Sequence, residues 1–154
     1  MLRTVSWDIV AWNRAAALVL TDYAALAPSQ RNLLRLLFCD PRAREHTEDW
    51  ELHARTLVAA FRSEVARAGA SESVATLIDE LTQSSPEFAE LWRDHNIESY
   101  GEGIKQFRHS SAGPVALEYA AFAVDGRPNL SLMIFTPATS IDADRIKVFI
   151  QSQD

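Results

Sequence analysis

Apolar residues recur at two different spacings along the chain, and the change of spacing divides it into a helical and a strand-rich part. Between residues 13 and 96 they recur every three or four positions, which is typical of helices that bury one face. From Ile104 onward they alternate with polar residues or fall in runs of strand formers. Residues 2–12 are also rich in strand formers and predict one or two short strands. The pattern predicts an α+β domain.

N-cap residues and the helix-breaking residues proline and glycine predict the helix boundaries within the helical part. The predicted helices are one from the cap Asn13 to about Leu26, a short Leu-rich helix from Pro28-Ser29 to Cys39, the longest helix from Asp40-Pro41 to Gly69, a fourth through Val74, Leu77, Ile78 and Leu81, and a fifth capped by Ser85-Pro86.

Turn residues predict three strands after the helical part, near 104–109, 115–124 and 129–136, with the pair Gly101 and Gly103 as a turn before the first. Ser140 can cap a final helix. If the N-terminal strands join this meander, one antiparallel sheet forms with a block of about five helices on one face, in addition to the C-terminal helix. That arrangement resembles the PAS fold, although the local pattern by itself supports only α+β.

Length, charge and cysteine content limit the functional classes. The 154 residues suit a single domain, 1–154, and the net charge of −6 without a basic stripe argues against DNA binding by this chain alone. Cys39 is the single cysteine, so an internal disulfide and a cysteine-only zinc site are excluded. No apolar run approaches the roughly 20 residues of a membrane span, and no secretory signal is evident. We expect a cytoplasmic protein with no membrane partner.

The strongest candidate for metal or acid–base chemistry is a polar cluster near the start of the longest predicted helix, formed by Glu45, His46, Asp49 and His53. His46, Asp49 and His53 stand at i, i+3 and i+7, so one helix face could present all three. No HExxH spacing supports a metal site, and a solvated polar face beside the apolar stripe is the simpler explanation of the cluster. Cys39 has no local sign of thiolate activation, and no Gly-rich phosphate loop exists. The sequence therefore predicts no enzyme, no metal and no cofactor.

Four segments resemble the MmyB-like ligand-binding domains, in family order and over nearly the whole chain. They are WDIVAWNRAA at 7–16, RNLLRLLF at 31–38 followed by Asp40-Pro41 and Trp50, SPEFAELW at 85–92, and Phe107-Arg108-His109 with Gly113-Pro114 and Leu117. The family is the C-terminal effector-binding half of bacterial regulators of the XRE type, whose N-terminal half is a helix-turn-helix domain. The resemblance implies a PAS-like fold and a pocket for a small lipid-like or otherwise apolar effector.

The chain departs from the family pattern in two ways. No helix-turn-helix half is expected in this chain, since Met1 falls almost on the first strand, so DNA would be reached only through a domain outside it. His109-Ser110 stands where the family has His-Pro, which leaves the geometry of that turn open.

The leading hypothesis is effector sensing for transcription regulation, with a small apolar or fatty-acid-like molecule bound between helices and sheet. The same apolar residues could instead fill a packed core, and the alternative is an interaction module that forms a homodimer; a metal enzyme comes last. Ligand-lining candidates are Leu34, Phe38, Trp50, Leu57, Phe61, Phe88, Trp92, Phe107, Leu117 and Phe135, and head-group candidates are Arg31, Asn32, Arg62 and His109.

Overall fold

The protein is described by a computed structural model that covers residues 1–69, 71–94, 102–109 and 111–153, without the side chains of Glu102 and Phe107. Gly101 and Ser110, on which part of two predicted turns falls, lie outside the described residues. Helices and one antiparallel sheet make up the described chain, so the predicted α+β class is confirmed.

The sheet has five strands in the order β2-β1-β5-β4-β3. They are β1 (Leu2–Thr4), β2 (Ile9–Ala11), β3 (Glu102–His109), β4 (Gly113–Val124) and β5 (Arg127–Pro137). Leu2 of β1 pairs with Leu132 of β5, so the N-terminal strands join the C-terminal meander as expected. The amide of Met133 also donates to the Met1 carbonyl at 2.8 Å.

A tight turn between β1 and β2 sets the position of Trp7. The Thr4 amide donates to the Asp8 carbonyl at 2.9 Å, and the Trp7 amide donates to the Thr4 carbonyl at 3.0 Å. Trp7 has a φ of 62°, in the left-handed region that side-chain-bearing residues rarely adopt. The turn therefore holds the buried indole in one direction, toward the helices, at a backbone cost of about 1–3 kcal/mol.

Seven α-helices lie in the described part of the chain. They are α1 (Arg14–Val19), α2 (Leu33–Cys39), α3 (Arg42–His46), α4 (Trp50–Ala68), α5 (Glu72–Ser84), α6 (Pro86–Arg93) and α7 (Ser140–Gln151), and two single 3₁₀ turns lie at Tyr23–Ala25 and Pro28–Gln30.

The first two predicted helices are shorter than expected because polar side chains cap new starts inside them. α1 ends at Val19 instead of near Leu26, and the Asp22 carboxylate then accepts from the Ala24 amide at 3.2 Å to begin a 3₁₀ turn. The helix predicted from Pro28 is a 3₁₀ turn followed by α2, because the Asn32 side chain accepts from the Leu34 and Arg35 amides.

The prediction of one long helix from Asp40-Pro41 to Gly69 is also wrong, because the helix is interrupted between α3 and α4. Thr47 is extended, and Asp49 has a φ of 49°, so α4 begins at Trp50. Gly69, with a φ of 80°, terminates the helix as predicted.

Two smaller predictions are corrected. Gly103 lies inside β3 rather than in a turn before it, opposite Tyr119 of β4. A Cβ at residue 103 would meet the Tyr119 hydroxyl at 2.7 Å, so the glycine makes room for the tyrosine ring. The last helix is capped by Thr139 instead of Ser140, because the Thr139 hydroxyl accepts from the Asp142 amide at 3.2 Å.

The interior has two apolar clusters. The larger one lies between the helices and consists of Trp7, Leu34, Val58, Phe61, Val74, Leu77, Leu81 and Phe88. The smaller one consists of Val19 of α1 with Val115 and Leu117 of β4, and apolar side chains of α7 pack against it. On the opposite face of the sheet Ile104, Phe122, Leu132 and Ile134 are exposed. Within the described residues, no helix is both long and apolar enough to span a membrane.

Candidate ligand-binding site

α4 carries two stripes that face different surroundings. Ala54, Val58 and Phe61 are buried, and Val58 and Phe61 belong to the larger core cluster. A neighbouring stripe of His53, Leu57, Ala60, Glu64 and Arg67, spaced three or four residues apart, faces the sheet instead. One long helix therefore closes the helical core on one side and lines a space above the sheet on the other.

The sheet side of this space is formed by residues that alternate along the strands, as the period of two requires. Across the strands Tyr119 pairs with Phe135 and Ala121 with Met133. The resulting cavity, which we call the sheet cavity, has a volume of about 200 Å³. Its wall consists of Arg3, Trp7, Leu33, His53, Leu57, Ala60, Ser63, Glu64, Arg67, Lys105, Tyr119, Ala121, Met133 and Phe135.

A second cavity, the helix cavity, adjoins the first and has a volume of about 370 Å³. It extends from the segment after α1 to α2 and α3, where Leu20, Leu36 and Ala43 line it. The two cavities share four wall residues, which are Leu33, His53, Leu57 and Lys105. We call these four the junction.

Arg3, Trp7 and Glu64 form a hydrogen-bonded group in the wall of the sheet cavity. An Arg3 Nη donates to Glu64 at 2.5 Å, and the Trp7 indole N–H donates to the other carboxylate oxygen at 2.8 Å. The guanidinium also stacks on the Trp7 ring at 4.0 Å. Arg3 is only 2% exposed, and its Nε–H has no acceptor among the described residues. A buried donor of this kind favours a guest or a water with an oxygen acceptor.

Two basic side chains, Lys105 and His53, lie at the junction. Burial lowers the pKa of Lys105 to about 8, because the ammonium loses hydration inside the wall. Burial, and then the charge of Lys105, lower the pKa of His53 to about 3. His53 is therefore neutral at physiological pH, whereas Lys105 is mostly protonated.

The predicted lining residues divide between cavity and core. Leu57 and Phe135 are in the wall of the sheet cavity. Leu34, Phe61 and Phe88 are fully buried in the larger core cluster, with Phe38 and Trp92 packed against it. Trp50 makes an edge contact with Phe38, and Leu117 belongs to the smaller cluster. The side chain of Phe107 lies outside the described part.

The four predicted head-group residues bind the main chain. Arg31 donates to the Tyr23 carbonyl at 2.7 Å and Arg62 to the Leu91 carbonyl at 2.7 Å. Asn32 caps α2. His109 makes a 3.0 Å hydrogen bond with the Leu18 carbonyl and accepts from two amides of the following turn. These contacts make the four residues structural links between segments.

The polar cluster considered for a metal is spread over three elements. His46 ends α3 and its ring nitrogen is 2.8 Å from the Arg42 carbonyl, Asp49 lies in the break, and His53 points from α4 into the junction. The i, i+3, i+7 geometry predicted for one helix is thus wrong, because the helix is interrupted. In the described ranges no group of three or more His, Cys, Asp or Glu side chains is placed to hold a metal ion.

Several wall residues were not predicted, although the sequence contains a signal for one of them. Lys105, Phe107 and His109 are alternate residues of β3, and the sequence predicted that Phe107 and His109 line the pocket. Because side chains alternate between the two faces of a strand, Lys105 is expected on the same face as these two residues. Arg3, Trp7 and Glu64 carry no such signal, since their contact joins residues 57–61 positions apart.

An α+β domain with a partly apolar cavity between a helical layer and a sheet has the architecture of a small-molecule-binding domain. The sequence profile of the family described as MmyB-like transcription regulator ligand binding domain matches residues 1–147, and the chain belongs to this family. The family is one of regulatory domains and not of enzymes. A comparison with curated proteins gives no match. The family predicted from the four sequence segments is therefore confirmed.

Proposed function

We propose that this domain binds a small apolar or fatty-acid-like effector in the sheet cavity, and that binding without catalysis is its role in a transcription regulator. The observation that carries the proposal is the cavity of about 200 Å³ between α4 and the sheet. An engineered apolar cavity of roughly 150 Å³ is large enough to bind benzene. The sheet cavity is larger than that, and the helix cavity, which shares four wall residues with it, lies on the other side of the junction.

The wall supports an elongated guest. Leu57, Ala60, Ala121, Met133 and Phe135 provide apolar contacts along the sheet cavity. Each methylene group of a guest gains about 0.8 kcal/mol on burial, so a chain of about ten carbons could bind tightly after the cost of ordering it. The cavity also counts against the alternative of an interaction module with a fully packed interior.

Binding would regulate through a helix-turn-helix domain joined to this one. A guest contacts α4 and the sheet together, so it favours the conformation in which these layers have their present separation. An attached domain would respond to that change of population. The expected cellular setting is the cytoplasm.

Filling the sheet cavity provides the test. Ala60 lines the cavity and Ala66 is exposed on the same helix, so Ala60→Phe and Ala66→Phe are matched variants. We expect Ala60→Phe to weaken the binding of decanoate and 1-decanol at least about tenfold, or about 1.4 kcal/mol, because the ring occupies the space of the guest. Isothermal titration calorimetry measures the affinity, and native mass spectrometry of protein purified from cells detects a resident guest.

Ala66→Phe should bind both compounds like the parent chain. If Ala60→Phe binds them equally well while its thermal unfolding remains cooperative, the guest lies elsewhere and the proposal is wrong. Failure of the parent chain to bind either compound, together with an unliganded mass, would likewise contradict it.

A further inference from the structure

The inner face of β4 is covered at one end of the strand and open to solvent at the other. Val115 and Leu117 are buried, whereas Ala121 and Ala123, which lie further along the strand on the same face, are exposed. Ala121 is also part of the wall of the sheet cavity. The sheet cavity therefore reaches solvent at the end of β4 that leads into the β4–β5 turn.

A groove of about 320 Å³ lies at this open end, between the last turn of α4 and the strands β4 and β5. We call it the mouth. Ala68 and Ala123 line the mouth, and it shares Glu64, Arg67 and Ala121 with the wall of the sheet cavity. The three shared residues form the boundary between the groove and the cavity.

Arg67 is the member of this boundary that can move at little cost. Its side chain is exposed, and its Nε donates to the Ser63 carbonyl of the same helix at 3.4 Å, which is long for such a bond. In the ranges that the structure describes, it has no hydrogen bond or ion pair with the sheet. Glu64, in contrast, is held by Arg3 and the Trp7 indole. A rotation of the Arg67 side chain would widen the passage and leave the fold intact.

The other end of the sheet cavity is shielded from water. His53 lies near the start of α4, about 21 Å from Arg67 along the helix axis. Burial lowers the pKa of His53 and of Lys105, as expected where water is largely excluded. The helix cavity lies beyond these side chains. A guest entering from it would have to displace buried groups, whereas a guest at the mouth displaces one exposed side chain.

We propose that the guest enters and leaves the sheet cavity through the mouth, and that the Arg67 side chain is the gate of this passage. The inference rests on the proposed function, because it requires a guest in the sheet cavity. A guest passes through the mouth and does not rest there. An obstacle in the mouth therefore slows binding and release by the same factor, and it leaves the Kd, which is the ratio of the two rate constants, unchanged.

The experiment measures both rates by stopped-flow fluorescence. The probe is 1-aminoanthracene, a neutral molecule that brightens in apolar surroundings; mixing gives the rate of binding, and displacement by excess 1-decanol gives the rate of release. Ala68→Trp and Ala123→Trp place a large ring in the mouth, from opposite walls and outside the sheet cavity. His46→Trp places the same ring at an exposed position in the wall of the helix cavity.

We expect each mouth variant to lower both rates at least about fivefold with an unchanged Kd, and His46→Trp to match the parent. Arg67→Ala should raise both rates, because it removes the gate. Arg55→Ala is its matched control, since Arg55 is exposed on the same helix and should not affect either rate.

Unchanged rates in both mouth variants, or slower rates in His46→Trp, would overturn the route and leave the proposed function standing. A Kd that weakens through faster release alone would place the resting guest in the mouth and would also overturn the route. Unchanged rates in Arg67→Ala would overturn the role of Arg67. Failure of the parent to bind either compound would overturn both proposals. Circular dichroism melting establishes that each variant is folded, and the two mouth variants lie on different elements, so either one gives an independent reading.

Discussion

His53 and Lys105 are both removed from water, and the charge of Lys105 favours the uncharged form of His53. Burial is the larger influence on the pKa of His53, and the charge of Lys105 adds to it. The pKa of His53 is lowered from 6.5 to about 3. The imidazole therefore keeps an acceptor nitrogen at the junction under physiological conditions, beside an ammonium group that can donate.

The shifted pKa of His53 predicts how stability depends on pH. Between pH 6.5 and about 3 the unfolded chain binds a proton at His53 and the folded chain does not. The free energy of unfolding therefore falls as the pH is lowered through this window. Above pH 6.5 His53 is neutral in both the folded and the unfolded chain, and none of this stability is lost. The loss from this group is at most about 1.4 kcal/mol per pH unit.

Urea unfolding at pH 7, 6 and 5 measures the free energy of unfolding of the parent chain and of His53→Gln. The difference between the two gives the contribution of His53, because the carboxylates that titrate in the same range contribute equally to both. His53→Gln should lose less stability on acidification than the parent. His46→Gln, on the exposed helix α3, should keep the steep dependence. Parallel curves for the parent and His53→Gln would contradict the buried, neutral state of His53.

At the residue scale, the sequence indicated which apolar residues could line a cavity better than it indicated what each polar side chain would bind. Leu57 and Phe135 were chosen for their apolar character and lie in the cavity wall. Arg31 and Arg62 were chosen as head-group donors, yet both donate to main-chain carbonyls. A guanidinium has five N–H donors and satisfies whichever acceptors the tertiary structure brings near it, which one sequence does not show.

At the element scale, Asn32 determines where α2 begins and how it attaches to the β1–β2 turn. Its side-chain oxygen accepts from the Leu34 and Arg35 amides at 3.0 and 3.1 Å. Its side-chain amide donates to the Ser6 carbonyl at 2.7 Å and to Asp8 at 2.9 Å. All polar atoms of this fully buried side chain are used, so Asn32 links a helix start to the first hairpin.

Replacing Asn32 should therefore cost more than the loss of an ordinary cap. Asn13 offers a matched comparison, since it caps α1 from an exposed position through one bond to the Ala16 amide. Asn13→Ala should reduce the free energy of unfolding by about 1 kcal/mol. Asn32→Ala should reduce it by about 3 kcal/mol, because it also leaves buried groups without partners. Chemical denaturation measures both, and equal losses would show that the links to Ser6 and Asp8 do not contribute.

Element types were predicted well and element ends less well. The apolar period identified all the strands of the meander and most of the helices, although it merged α3 and α4 into one helix, and Gly69 and Ser85 marked true boundaries. Two misplaced boundaries occur where a polar side chain caps a new start within an apolar run, as Asp22 and Asn32 do. A cap of this kind is visible in the sequence only as one of many polar residues, and tertiary contacts decide which of them act.

At the scale of the whole molecule, pairing of the two ends of the chain makes one sheet. β1 lies beside β5 in the sheet order, although about 125 residues separate them in sequence. The local pattern did not determine this pairing, and the family resemblance implied it. The cavity depends on it, because Arg3 of β1 and Lys105 of β3 are parts of one wall only in the assembled sheet.

The Arg3–Glu64 pair joins the sheet to α4, and its two members differ in burial: the side chain of Arg3 is 3% exposed and that of Glu64 is 26% exposed. This difference predicts an asymmetric effect of mutation. Glu64→Gln leaves a guanidinium charge buried without a counter-charge, so it should destabilise the fold by about 3 kcal/mol. Arg3→Met leaves a partly hydrated carboxylate that still accepts from the Trp7 indole, so it should cost less.

Chemical denaturation of the two single variants and the double variant measures both the asymmetry and the coupling. The double variant should lose less stability than the sum of the single variants, because it removes the buried charge together with its partner. Glu80→Gln is the matched control: Glu80 pairs with Arg35 at 2.6 Å, but its side chain is 43% exposed, and such pairs contribute at most about 1 kcal/mol. If Glu64→Gln and Glu80→Gln destabilise the protein equally, the contact between α4 and the sheet does not depend on a buried charge. The two layers would then be held together by apolar packing around the cavity alone.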